Sequence, residues 1–253
     1  MIRSRLVVGR LILAAVSSMA VAAAPPTKPT IVLVHGAFAD ALGFQKLIPI
    51  LMRDGYQVTA VEIPLETLAG DVATTRRAIE AEPSPIVLVG HSYGGAVITG
   101  AGAGEPNVKA LVYLAAFAPD DGEAVGAFGD KYPVALAKEL KPDSAGFLYV
   151  DRSHFNEDFA GGVPAGDSAI MAATQKPLSS SVFTASVPKA AWKTIPSWYV
   201  VSKQDHAINP DLERFYAKRM KANTSEVDAS HVAFITHPAE IAKVIEAAAA
   251  TVK

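Results

Sequence analysis

The sequence predicts an α/β fold in which a parallel β-sheet is covered by helices, and three observations support this prediction. Short apolar runs rich in β-branched residues alternate with segments of helical periodicity along most of the chain. The length of 253 residues suits one domain with a sizeable core. A Gly-x-Ser-x-Gly pattern over residues 90–94 stands between an apolar run and a helical segment. Parallel strands end at one edge of their sheet, so we expect the functional residues to gather there.

Six segments, most of them apolar runs, are predicted to be strands. They cover residues 30–34, 57–61, 86–89, 108–114, 198–201 and 224–227. Helices are predicted over residues 44–51, 68–80, from residue 95 onward, over 210–220 and over 238–248. Gly55 is predicted to end the first of these helices. Asn209 and Pro210 have the residue types that begin the fourth helix, as its N-cap and its first residue.

The alternation of strands and helices stops between residues 119 and 193. This segment contains several Gly and Pro residues, scattered aromatic residues and polar runs. It is too long for an ordinary loop. We therefore predict a mainly helical cap that is inserted after the fourth strand and lies over the sheet.

The first residues are typical of a secretory signal. Arg3, Arg5 and Arg10 precede an uncharged run over residues 11–24, which offers small residues at its end and is followed by Pro25 and Pro26. We predict a signal peptide over residues 1–24, a mature domain over 25–253, a periplasmic or secreted location and no stable membrane span after cleavage. An uncleaved anchor and a start codon assigned too far upstream are the alternatives.

Composition excludes several classes of function. The net charge of −2 argues against a nucleic-acid surface, which needs a basic excess. The absence of Cys excludes a disulfide framework and a thiolate metal site. We expect no metal and no organic cofactor, and the sequence leaves open whether the protein forms a homodimer.

Ser92 is the predicted nucleophile. A buried strand, a sharp turn that carries Ser, and a helix together form a nucleophile elbow. Gly90 and Gly94 lack a Cβ, which lets the strand and the helix approach each other closely. A glycine-rich turn with an idle Ser is the alternative.

A serine hydroxyl needs a base, and the base needs an acid that orients it. Of the six histidines, His231 follows the last predicted strand and is the predicted base. Asp205 follows the preceding strand and is the predicted acid, which keeps the chain order Ser, acid, His. Asp120, after the fourth strand, is the alternative acid, whereas Asp228 is too close to His231 along the chain.

Two backbone N–H groups are predicted to bind the oxyanion that forms during attack by Ser92. One belongs to Tyr93, at the start of the helix after the elbow, and the other to Ala37 in the loop after the first strand. His35 is expected to have a structural role beside that loop. His91 is expected to point away from the pocket.

Three segments together resemble the α/β-hydrolase superfamily. They are Leu-Val-His-Gly-Ala-Phe-Ala-Asp over 33–40, Val-Gly-His-Ser-Tyr-Gly-Gly-Ala-Val over 89–97 and Ser-His-Val-Ala-Phe over 230–234. They are similar to small bacterial esterase-like hydrolases near the plant salicylate-methyl-esterase and hydroxynitrile-lyase branch. The resemblance implies about six parallel strands and a helical cap that forms an apolar acyl pocket.

The expected activity is hydrolysis of a small-molecule carboxylic ester through an acyl-enzyme. Phe38, Phe128 and Phe155 are candidate substrate contacts, and Phe147, Tyr149 and Phe159 are further aromatic candidates for the pocket roof. A cofactor-free lyase or C–C hydrolase with the same triad is the first alternative. A non-catalytic binding protein on the same fold is the second.

The resemblance also separates ester hydrolysis from cyanohydrin cleavage. The similar lyases carry Lys directly after the catalytic His and tend to have Thr at the position of Gly36. Here Val232 follows His231. A Lys from the cap is the remaining route to the same charge, and the cap contains Lys131, Lys138, Lys141 and Lys176.

Overall fold

The computed structural model describes residues 28–252, and the predicted signal peptide over 1–24 lies outside them. In chain order the strands are β1 (Thr30–Val34), β2 (Val58–Val61), β3 (Ile86–His91), β4 (Val108–Leu114), β5 (Leu140–Pro142), β6 (Phe147–Val150), β7 (Leu178–Ser179), β8 (Ser197–Ser202) and β9 (Asn223–Val227). The helices are α1 (Ile48–Arg53), α2 (Leu68–Ala81), α3 (Tyr93–Ala101), α4 (Phe155–Asp158), α5 (Ala165–Thr174), α6 (Pro210–Met220), α7 (Ala233–Thr236) and α8 (Pro238–Ala249).

Six parallel strands form the central sheet in the spatial order β2-β1-β3-β4-β8-β9. The prediction of about six parallel strands is therefore confirmed. β1, β3 and β8 are buried along their whole length because helices cover both faces, which explains their continuous apolar sequences. β9 is a largely exposed edge strand, and its sequence is correspondingly polar.

The helices follow the predicted pattern with one difference. Asn209 caps α6 by accepting a hydrogen bond from the Asp211 N–H, and Pro210 is its first residue, as predicted. The single helix predicted over residues 44–51 is instead a 3₁₀ turn (Ala41–Lys46) followed by α1. Pro49 in the first turn of α1 explains this, because it has no N–H to continue a helix from the preceding turn.

The cap is inserted after β4 and contains both helices and strands. α4 and α5 belong to it, as does an antiparallel sheet in the order β5-β6-β7. The sequence did not predict this second sheet, because its strands are only two to four residues long. Among residues 28–252, no helix has both the length and the apolar character needed to cross a membrane.

Candidate active site

Ser92 lies at the turn between β3 and α3, with a backbone φ of +53°. Few residues with a side chain adopt this left-handed conformation, so the turn holds Ser92 under strain. The turn is also tightly packed: a Cβ at Gly94 would lie 2.5 Å from the Val34 carbonyl oxygen. The sharp turn places Ser92 against a cavity between the sheet and the cap.

His231 lies in the loop after β9 and lines the same cavity as Ser92. Its Nδ1 lies 2.6 Å from Oδ2 of Asp205, and both side chains are buried. Its Nε2 has no hydrogen-bond partner among residues 28–252. In a neutral ring that donates from Nδ1 to a carboxylate, Nε2 has no proton and is available as an acceptor.

Asp205 is held by the loop between β8 and α6. Its Oδ1 accepts hydrogen bonds from the N–H groups of Ala207 at 2.6 Å and Ile208 at 2.9 Å. These bonds fix the carboxylate so that Oδ2 faces His231. The alternative acid Asp120 instead pairs with Lys193 at 2.5 Å, near the protein surface. The structure therefore brings Asp205, and not Asp120, to His231.

The N–H groups of Ala37 and Tyr93 belong to residues that line the cavity. Within residues 28–252, neither group donates to a backbone or side-chain acceptor. His35 orients the first of them. Its Nε2 accepts from the Ile63 N–H at 3.1 Å, so Nδ1 carries the proton and donates to the Gly36 carbonyl at 2.8 Å. That carbonyl and the Ala37 N–H are opposite ends of one planar peptide.

The side chain of Tyr93 secures the second N–H. Its hydroxyl donates to Oδ2 of the buried Asp71 at 2.6 Å, and Oδ1 of Asp71 accepts from the Leu65 N–H at 2.8 Å. Burial raises the pKa of Asp71 above its usual value. No short motif connects Asp71 to the elbow, which is why sequence reasoning missed it.

His91 holds the backbone of His231. Its Nε2 lies 3.0 Å from the His231 carbonyl, and the two rings are 4.6 Å apart. Burial, and then the neighbouring His231, lower the pKa of His91 well below its usual value. The neutral ring therefore donates from Nε2. His91 does not line the cavity, in agreement with the expectation that it points away.

The cavity has a volume of about 470 Å³ and is mainly apolar. The predicted contacts Phe38 and Phe128 line it, as does Phe159. Phe155 does not: it is buried behind Phe159, with the two rings 4.9 Å apart. Phe147 and Tyr149 also lie outside the lining. Other lining residues that the sequence did not indicate are Phe117, Tyr132, Phe183, Ile208 and Leu212.

The position after His231 carries no charge, because Val232 is apolar; its side chain is buried. Of Lys131, Lys138, Lys141 and Lys176 in the cap, Lys138 is the one that lines the cavity. Lys176 pairs with Glu62 at 2.8 Å, and Lys141 lies near Glu139 and Asp151. Lys138 is therefore the lysine of the cavity wall.

One group of potential metal ligands occurs within the described residues, at Glu139, Asp151 and His154 in the cap. Lys141 lies 3.8 Å from Glu139 and 3.9 Å from Asp151, so a cation already balances these carboxylates. None of the three ligands lines the cavity.

Comparison with known proteins gives a consistent result. The sequence profile of the Alpha/beta hydrolase family matches residues 31–244. A carbendazim hydrolyzing esterase from Nocardioides sp. is 30% identical over 177 residues, which is 64% of each chain. An alpha-hydroxynitrile lyase from Arabidopsis thaliana is 35% identical over 40% of this chain and 45% of its own, and methylesterases of that plant are also similar.

A solved structure of similar fold is that of polyneuridine aldehyde esterase. The two folds superpose with a TM-score of 0.78 at 18% sequence identity, over 87% of this chain and 98% of the other. The predicted resemblance to esterase-like hydrolases near the plant methylesterase branch is thus confirmed.

Proposed function

The chain belongs to the alpha/beta hydrolase family and is an enzyme whose relatives include esterases. On that premise we propose that it hydrolyses carboxylic esters with Ser92, His231 and Asp205. One observation carries the proposal. His231 is bound through Nδ1 to a buried carboxylate, while its unpartnered Nε2 shares a cavity with the strained Ser92.

The proposed reaction begins with proton transfer from Ser92 to Nε2 of His231. The serine oxygen attacks the ester carbonyl, and His231 then donates the proton to the leaving alcohol. Water repeats the cycle and releases the acid from the acyl-enzyme. Asp205 keeps the ring in the required tautomer and stabilises the imidazolium that forms. No step needs a metal or an organic cofactor.

The developing negative charge on the carbonyl oxygen is bound by the N–H groups of Ala37 and Tyr93. Donors that are already oriented need no reorganisation when the charge appears, and one such donor contributes about 10²- to 10³-fold in kcat. His35 and Asp71 keep the two donors in place through the contacts described above.

The proposed substrate is a small-molecule ester with a bulky apolar part. A cavity of about 470 Å³ exceeds what a short acyl chain fills, and Phe128, Phe159 and Phe183 offer aromatic surface to it. A series of p-nitrophenyl esters of increasing acyl size tests this. We expect kcat/KM to rise from acetate toward bulkier acyl groups, and a maximum at acetate would contradict the assignment.

The variant Ser92→Ala tests the proposed nucleophile. It should lose activity by several powers of ten and keep the melting temperature of the wild-type enzyme, because only a hydroxyl is removed. A fluorophosphonate probe should label the wild-type chain at Ser92 and leave the variant unlabelled. Turnover by the variant close to the wild-type rate would contradict the proposal.

Cyanohydrin cleavage is the second candidate, and Lys138 in the cavity wall favours it. Two observations favour hydrolysis instead. Val232 is apolar, and a Cβ at Gly36 would lie 2.7 Å from the Cβ of Ser92, which leaves no room for the Thr of the lyases. Lys138 is also exposed, so the neighbouring water weakens its interaction with a departing cyanide.

We also propose export to the periplasm or the medium, on the basis of the N-terminal pattern alone. The precursor, expressed in a secreting host, should lose its first 20 to 24 residues. Mass spectrometry of the mature protein measures this, and a chain that still begins at Met1 or Ile2 would contradict it.

A further inference from the structure

A second buried carboxyl lies beside the proposed acid. Glu213 is on α6, the helix that follows the loop of Asp205, and its side chain is completely buried. Its Oε2 accepts from the Ser202 N–H at 3.0 Å, and the Ser202 carbonyl accepts from the Asp205 N–H at 3.3 Å. Ser202 thus joins the two acidic residues, and their side chains lie within reach of a hydrogen bond. Two adjacent carboxyls that are both buried cannot both be ionised at low cost.

The hydrogen bonds of the pair indicate which carboxyl holds the proton. Asp205 accepts three hydrogen bonds, from Ala207, Ile208 and His231, which is the environment of an ionised group. Glu213 accepts one, from the Ser202 N–H to Oε2 at 3.0 Å. Its Oε1 has no partner among residues 28–252. A proton on Oε1 would give this oxygen a partner in Asp205, which has room for a fourth bond.

The other titratable groups near Glu213 do not offer its Oε1 an alternative hydrogen-bond partner. Tyr199 on β8 is buried close by, and its hydroxyl bonds to the Ala116 carbonyl. Arg214 is the next residue along α6, but it bonds to Glu226 of β9 at 2.8 Å and to Asp211 at 2.9 Å, outside the core. Burial, and then the charge of Asp205, raise the pKa of Glu213 well above its usual value.

From this geometry we infer that Glu213 is a positioning residue that carries a proton on Oε1 and donates it in a hydrogen bond to the carboxylate of Asp205. The same side chain holds the Ser202 N–H, and the Ser202 carbonyl accepts from the Asp205 N–H at 3.3 Å. Glu213 thus orients Asp205 both directly and through the end of β8. The inference rests on the proposed function, since it assigns a purpose to the orientation of Asp205.

The pH dependence of stability tests the proton on Glu213. In the unfolded chain, Glu213 releases its proton above its ordinary pKa of 4.5, whereas in the folded chain burial keeps the proton on it to a higher pH. The free energy of unfolding therefore falls as the pH rises from 4.5 to the pKa of Glu213 in the folded chain. Glu213→Gln keeps a donor and an acceptor but does not titrate. We expect its folding constant, relative to wild type, to rise about tenfold per pH unit over this range in urea denaturation.

The control for this measurement is Glu226→Gln, which removes a carboxylate paired with Arg214 at the surface and should change stability without that slope above neutral pH. A ratio of folding constants for Glu213→Gln and wild type that stays constant from pH 5 to pH 9 would overturn the inference. This measurement of stability does not depend on catalysis. It can therefore fail or succeed independently of the activity test with Ser92→Ala.

Activity tests the positioning role. At pH 7, Glu213→Gln should keep kcat within a few-fold of wild type, because its amide donates to Asp205 and accepts from Ser202. Glu213→Leu should lower kcat by about 10- to 100-fold with little change in KM, since it removes the donor. Equal loss of kcat in the folded Gln and Leu variants would overturn the role. If the Leu variant does not fold, a large loss of kcat in the Gln variant alone would also overturn the positioning role.

Discussion

Replacement of Asp205 by Asn tests the proposed acid in the sharpest way, because the structure dictates how the amide must sit. Oδ1 accepts from two backbone N–H groups, at 2.6 and 2.9 Å, so the amide oxygen takes this position. The amide NH₂ then replaces Oδ2 and points at Nδ1 of His231. Two donors cannot face each other, so the ring must move its proton from Nδ1 to Nε2.

That change of tautomer blocks the proposed reaction. A protonated Nε2 cannot accept the proton of Ser92, and the imidazolium loses its carboxylate. The same exchange in a serine protease triad lowers kcat by about 10⁴-fold, which corresponds to roughly 5 kcal/mol in the activation barrier. We expect a loss of this order here, with little change in stability because the backbone bonds to the amide oxygen are kept.

The assay is the initial rate with a p-nitrophenyl ester at pH 7, with the thermal unfolding of each variant measured in parallel. Asp120→Asn is the matched control: Asp120 follows the neighbouring strand, but its partner is Lys193 at the surface. It should keep kcat within about twofold, since exposed ion pairs contribute little. An inactive Asp120→Asn together with an active Asp205→Asn would refute the assignment of the acid.

Three further predictions follow from the elbow and the cavity. Gly94→Ala should lose about 3 kcal/mol or more of stability, because its Cβ would meet backbone oxygens of Val34 and His35 at 2.5 and 2.6 Å. The melting temperature measures this loss. The control is Gly166→Ala, which should be neutral because a Cβ there meets nothing within 4 Å. Tyr93→Phe should lower the free energy of unfolding in urea by about 1–3 kcal/mol, because it leaves Asp71 Oδ2 without its donor. It should also lower kcat by a few-fold, because the backbone N–H remains but loses the bond that secures it. With mandelonitrile, release of cyanide should be slower than turnover of a short ester; faster release that is lost in both Ser92→Ala and Lys138→Ala would make the protein a lyase.

The central sheet could be predicted from the sequence almost residue by residue. β1 and β4 begin and end where their apolar runs do, since strands buried on both faces need continuous apolar sequence. The cap could be located by the failure of the strand–helix alternation, but its internal sheet could not be predicted. Its strands are too short to have a pattern, and they pair only because the fold brings them together.

The proposed catalytic residues could also be predicted from the sequence, because each follows a recognisable strand in the order that this fold requires. The pocket lining was not. Phe155 and Phe159 are four residues apart in one short cap segment, yet only Phe159 reaches the cavity. Which aromatic side chain faces the substrate depends on how that segment packs on the sheet, and the spacing of the two residues does not contain this information.

The sequence by itself determined the sheet, the elbow and the chemical character of Ser92, His231 and Asp205, because local apolar patterns and the chain order of this fold carry those properties. Only the tertiary structure decided which groups contact these residues. Glu213 lies beside Asp205, His91 donates to the backbone carbonyl of His231, and Asp71 accepts from the Tyr93 hydroxyl. These pairs join elements that are distant or unpatterned along the chain. Their hydrogen bonds depend on distances of a few tenths of an ångström, and packing of the whole domain sets such distances.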